Sequence, residues 1–108
     1  MNRLVLSAVL VERGAVRYTP SGLPAIDCQL QHAGTVTEDG QPRQVSLEIK
    51  ALAIGALARP LAALALGSTA LFGGFLGSAR NGRGLLFHIT ELTPVTDDDP
   101  SAESSPAA

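Results

Sequence analysis

Aromatic residues are scarce in this chain. Its 108 residues include no tryptophan, one tyrosine and three phenylalanines. Cysteine is scarcer still. The single Cys28 excludes an internal disulfide framework and a cysteine-based zinc site, and it fits a reducing compartment. No Gly-Lys-Ser/Thr occurs. Gly82-x-Gly84 lacks a third glycine and opens a strand pattern, so no phosphate-cradling loop is present. His32 and His88 have no cysteine partners, and the spacing of Asp27, Glu48 and Glu91 does not complete a ligand set. No nucleophile, base and orienting group assemble. The sequence therefore reads as a non-enzymatic protein, with no metal and no cofactor.

What is present describes one globular domain. Hydrophobic residues make up 45% and charged residues 17%, too apolar for a disordered chain. The net charge of −2 hides an asymmetry. Residues 97–108 hold Asp97, Asp98, Asp99 and Glu103 and no base, while the remainder holds 8 bases against six acids. The expected organisation is a mildly basic domain over residues 1–96 and a disordered acidic tail over 97–108. Arg3 followed by Leu4 to Val11 imitates a signal peptide, but Glu12-Arg13-Gly14 stand where cleavage needs small residues. Leu61 to Ala79 carries no charge, yet Gly67-Ser68-Thr69 and Gly73-Gly74 interrupt it, so two short soluble elements explain it better than a membrane span.

Periodicity gives five strands and a helix. Asn2 to Arg13 is a strand dense in Leu and Val. Thr19-Pro20-Ser21-Gly22 is a turn. Ile26, Cys28 and Leu30 alternate with Asp27, Gln29 and Gln31, which is a strand with one wet face. Thr37 to Pro42, with Asp39-Gly40, is a loop or hairpin tip. Val45, Leu47, Ile49 and Ala51 alternate with Ser46, Glu48 and Lys50 in the cleanest strand of the chain. Ile54 to Leu66 has helical spacing, with Pro60 shortening it and Gly67 ending it. Thr69 to Gly77 and Leu85 to Val95 are the last strands, joined at the hairpin signal Asn81-Gly82. The order β-β-β-α-β-β, with glycines that let strands bend, predicts an all-β protein: a five-stranded OB-fold barrel with a short helix between strands 3 and 4.

In such a barrel the second and third strands and two loops form the oligonucleotide face. The candidate contacts are Arg13 and Arg17 with Tyr18 in the first loop, Arg43 before the third strand, and Arg80 and Arg83 around the last hairpin. Tyr18 is the one aromatic outside the strands and could stack on a base. From charge alone, a nucleic-acid contact and a set of ordinary solvated arginines are equally good readings. Cys28 lies on the apolar face of its strand and reads as a buried structural thiol.

Several spaced pieces together resemble the primosomal replication protein N (PriB) family, related to bacterial single-stranded DNA-binding protein. They are Asn2-Arg3-Leu4-Val5-Leu6-Ser7, Thr19-Pro20-Ser21-Gly22-Leu23-Pro24, Cys28-x-Leu30-x-His32, Arg43-Gln44, Gly73/Gly74-Phe75-Leu76, Ala79-Arg80-Asn81-Gly82, and His88 near Glu91. The resemblance covers about residues 1–95. It implies a cytoplasmic OB-fold homodimer that binds single-stranded DNA and assists the PriA helicase and other primosome proteins at stalled forks. It also implies pairing of the first strand across a two-fold axis, with Leu4, Leu6, Val9 and Val11 at the dimer interface. The chain departs from the family pattern at Ala33, where a basic residue is expected, and at Ser46, where the DNA-stacking aromatic is expected. One lost stack is worth roughly 1–3 kcal/mol per base. A protein-interaction module with weak DNA binding is the alternative these departures favour.

Overall fold

Alternating apolar residues build a ring of strands whose inner faces meet in one core. The computed structural model describes residues 1–79 and 82–95. Its strands are β1 (Leu4–Arg13), β2 (Arg17–Tyr18), β3 (Pro24–Glu38), β4 (Gln41–Ile54), β5 (Thr69–Ser78) and β6 (Leu85–Pro94). A 3-10 turn over Gly55–Leu57 leads into a six-residue helix, α1 (Ala58–Ala63). The sheet order is β1-β5-β6-β4-β3, and β3 returns to pair with β1, which closes a five-stranded barrel. All ladders are antiparallel except the short parallel contact of β4 with β6 at Ala51–Phe87 and Leu52–His88. This is the expected OB arrangement. The two residues of β2, which pair with Ala25 and Pro24 of β3, are an addition that periodicity did not show.

The core is Ala8 and Leu10 of β1, Ile26, Cys28 and Leu30 of β3, Phe72 of β5, Phe87 and Ile89 of β6, and Leu61 of α1, with alanines between them. The helix is shorter than Ile54 to Leu66. It ends at Ala63, and the chain is already extended at Leu64. Gly67 does not end the helix. It sits at φ +85° in the turn that follows, and its N–H donates to the Leu10 carbonyl at 2.8 Å. The Arg13 guanidinium donates to the Leu61 carbonyl at 3.4 Å and to the Leu64 carbonyl. A cation thus satisfies the carbonyls at the C-terminal end of α1.

β3 and β4 are longer than expected. They pair without a register shift from Ala25–Ile54 to Glu38–Gln41. The tip is a two-residue turn, Asp39 at φ 50° and Gly40 at φ 73°, the left-handed pair that matches the twist of a hairpin. β1 leaves β3 beyond Val9–Gln31, so the remaining length of the hairpin extends past the barrel as a two-stranded arm. Of the two readings of Thr37 to Pro42, loop or hairpin tip, the structure has the hairpin tip, at the end of that arm.

β1 explains the signal-like run of Leu4 to Val11. It pairs with β5 over Leu4–Val9 and with β3 from Val9 to Arg13, with a bulge between Leu10 and Glu12. Each half is thus covered on one side, and Leu4 to Ala8 keep an edge free of β3. Leu61 to Ala79 divides between α1, a turn and β5. Among the described residues, no helix is long and apolar enough to cross a membrane.

Candidate nucleic-acid interface

The wall formed by β3 and β4 carries the polar side of both alternations. Gln29 stands opposite Lys50, Gln31 opposite Glu48, and Ala33 opposite Ser46. Ile26, Cys28 and Leu30 fill the core between them, so this polar row faces out. Gln29 Nε2 donates to Glu48 Oε2 at 2.6 Å. Lys50 was absent from the expected contacts. Its signal was present in the sequence, because it shares its strand parity with Ser46. At the barrel end of the row Lys50, Gln29, Asp27, Glu12, Leu66 and Leu86 line an open groove of ≈ 580 Å³.

The expected contact residues do not converge on one spot. Arg17 on β2 is held by Asp27, with Nε 3.0 Å from Oδ2 and Nη2 3.3 Å from Oδ1. That hydrogen bond, and then the Asp27 charge, raise the Arg17 pKa above its ordinary value. Arg43 lies near the arm tip with Nε 3.1 Å from Glu38 Oε1. Ser46 is exposed on the arm, one strand position out of phase with Arg43, so the two point to opposite faces. From Arg43 to Lys50 is seven strand steps, roughly 23 Å at about 3.3 Å per residue. Tyr18 is 71% exposed and lines a cleft with Val16, Pro24 and Arg59. Arg83 sits in the connection between β5 and β6, where Ser78 pairs with Leu85. Arg80, Asn81 and the 97–108 segment lie outside the described residues.

This layout suits a strand of phosphates laid along a band rather than a compact ligand. The field is thinned, however. Among the described residues Arg3, Arg17 and Arg43 each face a carboxylate, and Arg13 is spent on α1. Lys50 and Arg59 carry no ion pair among the described residues.

The residues expected at a dimer interface divide by parity. Leu4 and Leu6 pack against the core from inside the barrel. Val9 is half-buried on the outward parity, and Val11 falls in the bulge and lines the groove. His32 Nδ1 lies 2.6 Å from the Ser7 carbonyl, reaching over the otherwise open part of β1. Cys28 is buried. Burial first, and the Asp27 charge second, push its thiol up to about 12 against an opposing pull from Arg13. At neutral pH it is a protonated core group, not a nucleophile.

Known proteins share this fold. A model of a family described as another single-strand binding protein family matches residues 2–91. Replication restart protein PriB of Bordetella pertussis is 50% identical over 80 residues, which are 74% of this chain and 75% of that protein. Replication restart protein PriB of Vibrio cholerae is 33% identical over 98 residues, covering 87% of this chain and 98% of that one. The solved PriB of Ralstonia solanacearum is 42% identical, superposes with a TM-score of 0.81, and is covered over 99% of its length by 89% of this chain. A single-stranded DNA binding protein from Thermus aquaticus, 23% identical, superposes over 91% of this chain and 52% of its own at a TM-score of 0.70, which speaks for the fold alone.

Proposed function

The chain belongs to the PriB family of single-strand binding proteins, and from that premise we propose that it binds single-stranded DNA along the outer wall of β3 and β4, as a cytoplasmic accessory of replication restart. The observation that carries the reading is the exposed polar row from Gln29 and Lys50 to Ser46, continued by the arm. Its length matches an extended strand, and its side chains vary in type along the row, which suits contact with the backbone of a strand more than selection of one base. Assistance to the PriA helicase and pairing into a homodimer through β1 are part of the same proposal. They rest on the resemblance and on the open edge at Leu4 to Ala8.

A titration of labelled oligothymidylate at low and at physiological salt tests it. Affinity is expected to be modest and to fall steeply with salt, because counterion release carries the binding. Replacing Arg80 and Arg83 together with alanine is expected to lower the magnitude of the salt slope by about one to two units for every sequence alike. Absence of saturable binding at low salt contradicts the reading. A second reading, a protein-interaction module of the primosome with weak DNA binding, is favoured by two specific observations. Arg17 and Arg43 are both engaged by carboxylates, and Ser46 replaces an aromatic. Weak oligonucleotide binding beside tight helicase binding is its signature.

The division into a folding unit over 1–96 and a dispensable tail is likewise a proposal, supported by composition. Truncation after Thr96 is expected to leave the melting temperature nearly unchanged, since the segment offers almost no apolar surface. The same truncation is expected to strengthen oligonucleotide binding modestly by removing four acids from a weakly basic body. Loss of folding on truncation contradicts the division.

A further inference from the structure

Exposed aromatic surface is rare here, and one piece of it lies outside the wall of β3 and β4. Phe72 and Phe87 are fully buried, whereas Phe75 on β5 is 42% exposed. The strand registers fix what surrounds it. Leu4 pairs with Gly74 and Val5 with Gly73, so the same antiparallel register places Arg3 opposite Phe75. Asn2 holds that extension in place: its Nδ2 donates to the Leu76 carbonyl at 2.6 Å, and its Oδ1 accepts the Leu76 N–H at 2.9 Å. On the other side Phe75 pairs with His88. The two rings stack with centroids 4.6 Å apart and planes 7° from parallel.

The neighbours along β5 add no side chain over Phe75, although the Glu91 carboxylate lies over Gly73, where a Cβ would come 3.2 Å from its Oε2. Gly73 and Gly77 share the outward parity of Phe75 and have no side chains. A Cβ at Gly77 would come 3.1 Å from His88 Nε2, so glycine there makes room for the imidazole. Across three strands the barrel thus presents a guanidinium, a phenyl ring and an imidazole in one row. The guanidinium is held by Glu91, with Nη2 3.2 Å from Oε1.

We propose that this row on β1, β5 and β6 is a second nucleotide-binding site, in which a base of single-stranded DNA stacks on the Phe75–His88 pair and its phosphate takes the Arg3 guanidinium from Glu91. The proposal rests on the reading of the chain as a single-strand binder, and it gives that function a source of stacking that Ser46 does not supply. The exposed phenyl face accepts any base, because every base has a π-face. An adjacent guanidinium suits a phosphate oxygen in geometry and charge. The site lies apart from the outer faces of β3 and β4, so a strand occupying both wraps the barrel.

The test compares oligothymidylate with an abasic strand of equal length. Wild type is expected to prefer the base-bearing strand. Phe75→Leu is expected to weaken oligothymidylate binding about tenfold, the size of one stacked base, while binding to the abasic strand is unchanged. Glu91→Gln, which releases Arg3, is expected to tighten both. Photocrosslinking of wild type with a bromodeoxyuridine-substituted strand gives a readout that does not depend on a variant folding, and the adduct is expected on the peptide containing Phe75. Phe75→Leu binding both strands as wild type does, with no adduct on that peptide, overturns this site alone if the Arg80→Ala/Arg83→Ala variant still weakens binding. A wild type that binds neither strand overturns the site and the proposed function together. A Phe75→Leu change in molecular mass by light scattering with unchanged DNA binding assigns the face to a contact between copies and also overturns the site.

Discussion

Replacing Gly74 with alanine is expected to abolish the fold or to cost more than the roughly 1–3 kcal/mol typical of overpacking. A Cβ on Gly74 would stand 1.8 Å from the His88 carbonyl oxygen and 2.9 Å from its carbon. Both atoms are backbone, so no rotamer change relieves the clash. β5 and β6 would have to separate at the point where their register shifts between Gly73 and Gly74. That point lies beside Phe72, Phe87 and Ile89, which are core residues. For a domain of this size each kcal/mol lowers the melting temperature by about 4–8 °C, so a fall of about 15 °C or more is expected by circular dichroism. Gly14→Ala is the control, because its Cβ would meet nothing nearer than the Asp27 carbonyl oxygen at 3.7 Å. Equal melting of the Gly74 variant and wild type contradicts the placement of the bulge.

The ion pairs give the second large effect. Arg17 and Arg43 were expected to meet DNA, yet each rests against a carboxylate, Asp27 and Glu38. A phosphate must displace that carboxylate before it gains the guanidinium. Asp27→Asn combined with Glu38→Gln removes two negative charges and releases both arginines. Oligonucleotide affinity at low salt is expected to rise roughly tenfold or more, and the salt slope to steepen by about one to two units. Stability is expected to change little, since exposed pairs contribute about 0–1 kcal/mol each. Fluorescence anisotropy over a salt series reads both quantities. An unchanged slope removes Arg17 and Arg43 from the path of the strand.

Burial was the part of the structure legible in the sequence. Ile26, Cys28 and Leu30, and Ile49 and Ala51, announce β3 and β4 because one face of each is in the core. The arm was legible only at its base, where Val45 and Leu47 continue the alternation of β4; beyond them its residues alternate between two wet faces. Thr35-Val36-Thr37 and Gln41 to Gln44 therefore show no apolar period, although Asp39-Gly40 correctly marked their turn. The inward direction of Leu4 and Leu6 was available from their parity with Ala8 and Leu10. Lys50 could have been found in the same way from Ser46. Contacts fixed only by register were beyond reach. Arg3 and Glu91 are 88 residues apart, and no local pattern predicts the bulge at Gly73/Gly74 that sets Glu91 opposite Gly73.

The proposed path of a single strand is the outer wall of β3 and β4. Its most direct measurement is an amide chemical-shift titration of the isotope-labelled protein with oligothymidylate. Fast-exchange shifts are expected at Gln29, Gln31, Ser46 and Lys50, reduced by added salt, with the amides of the core residues Leu10 and Ile26 unmoved. Saturable binding that leaves all four of those amides in place would contradict it.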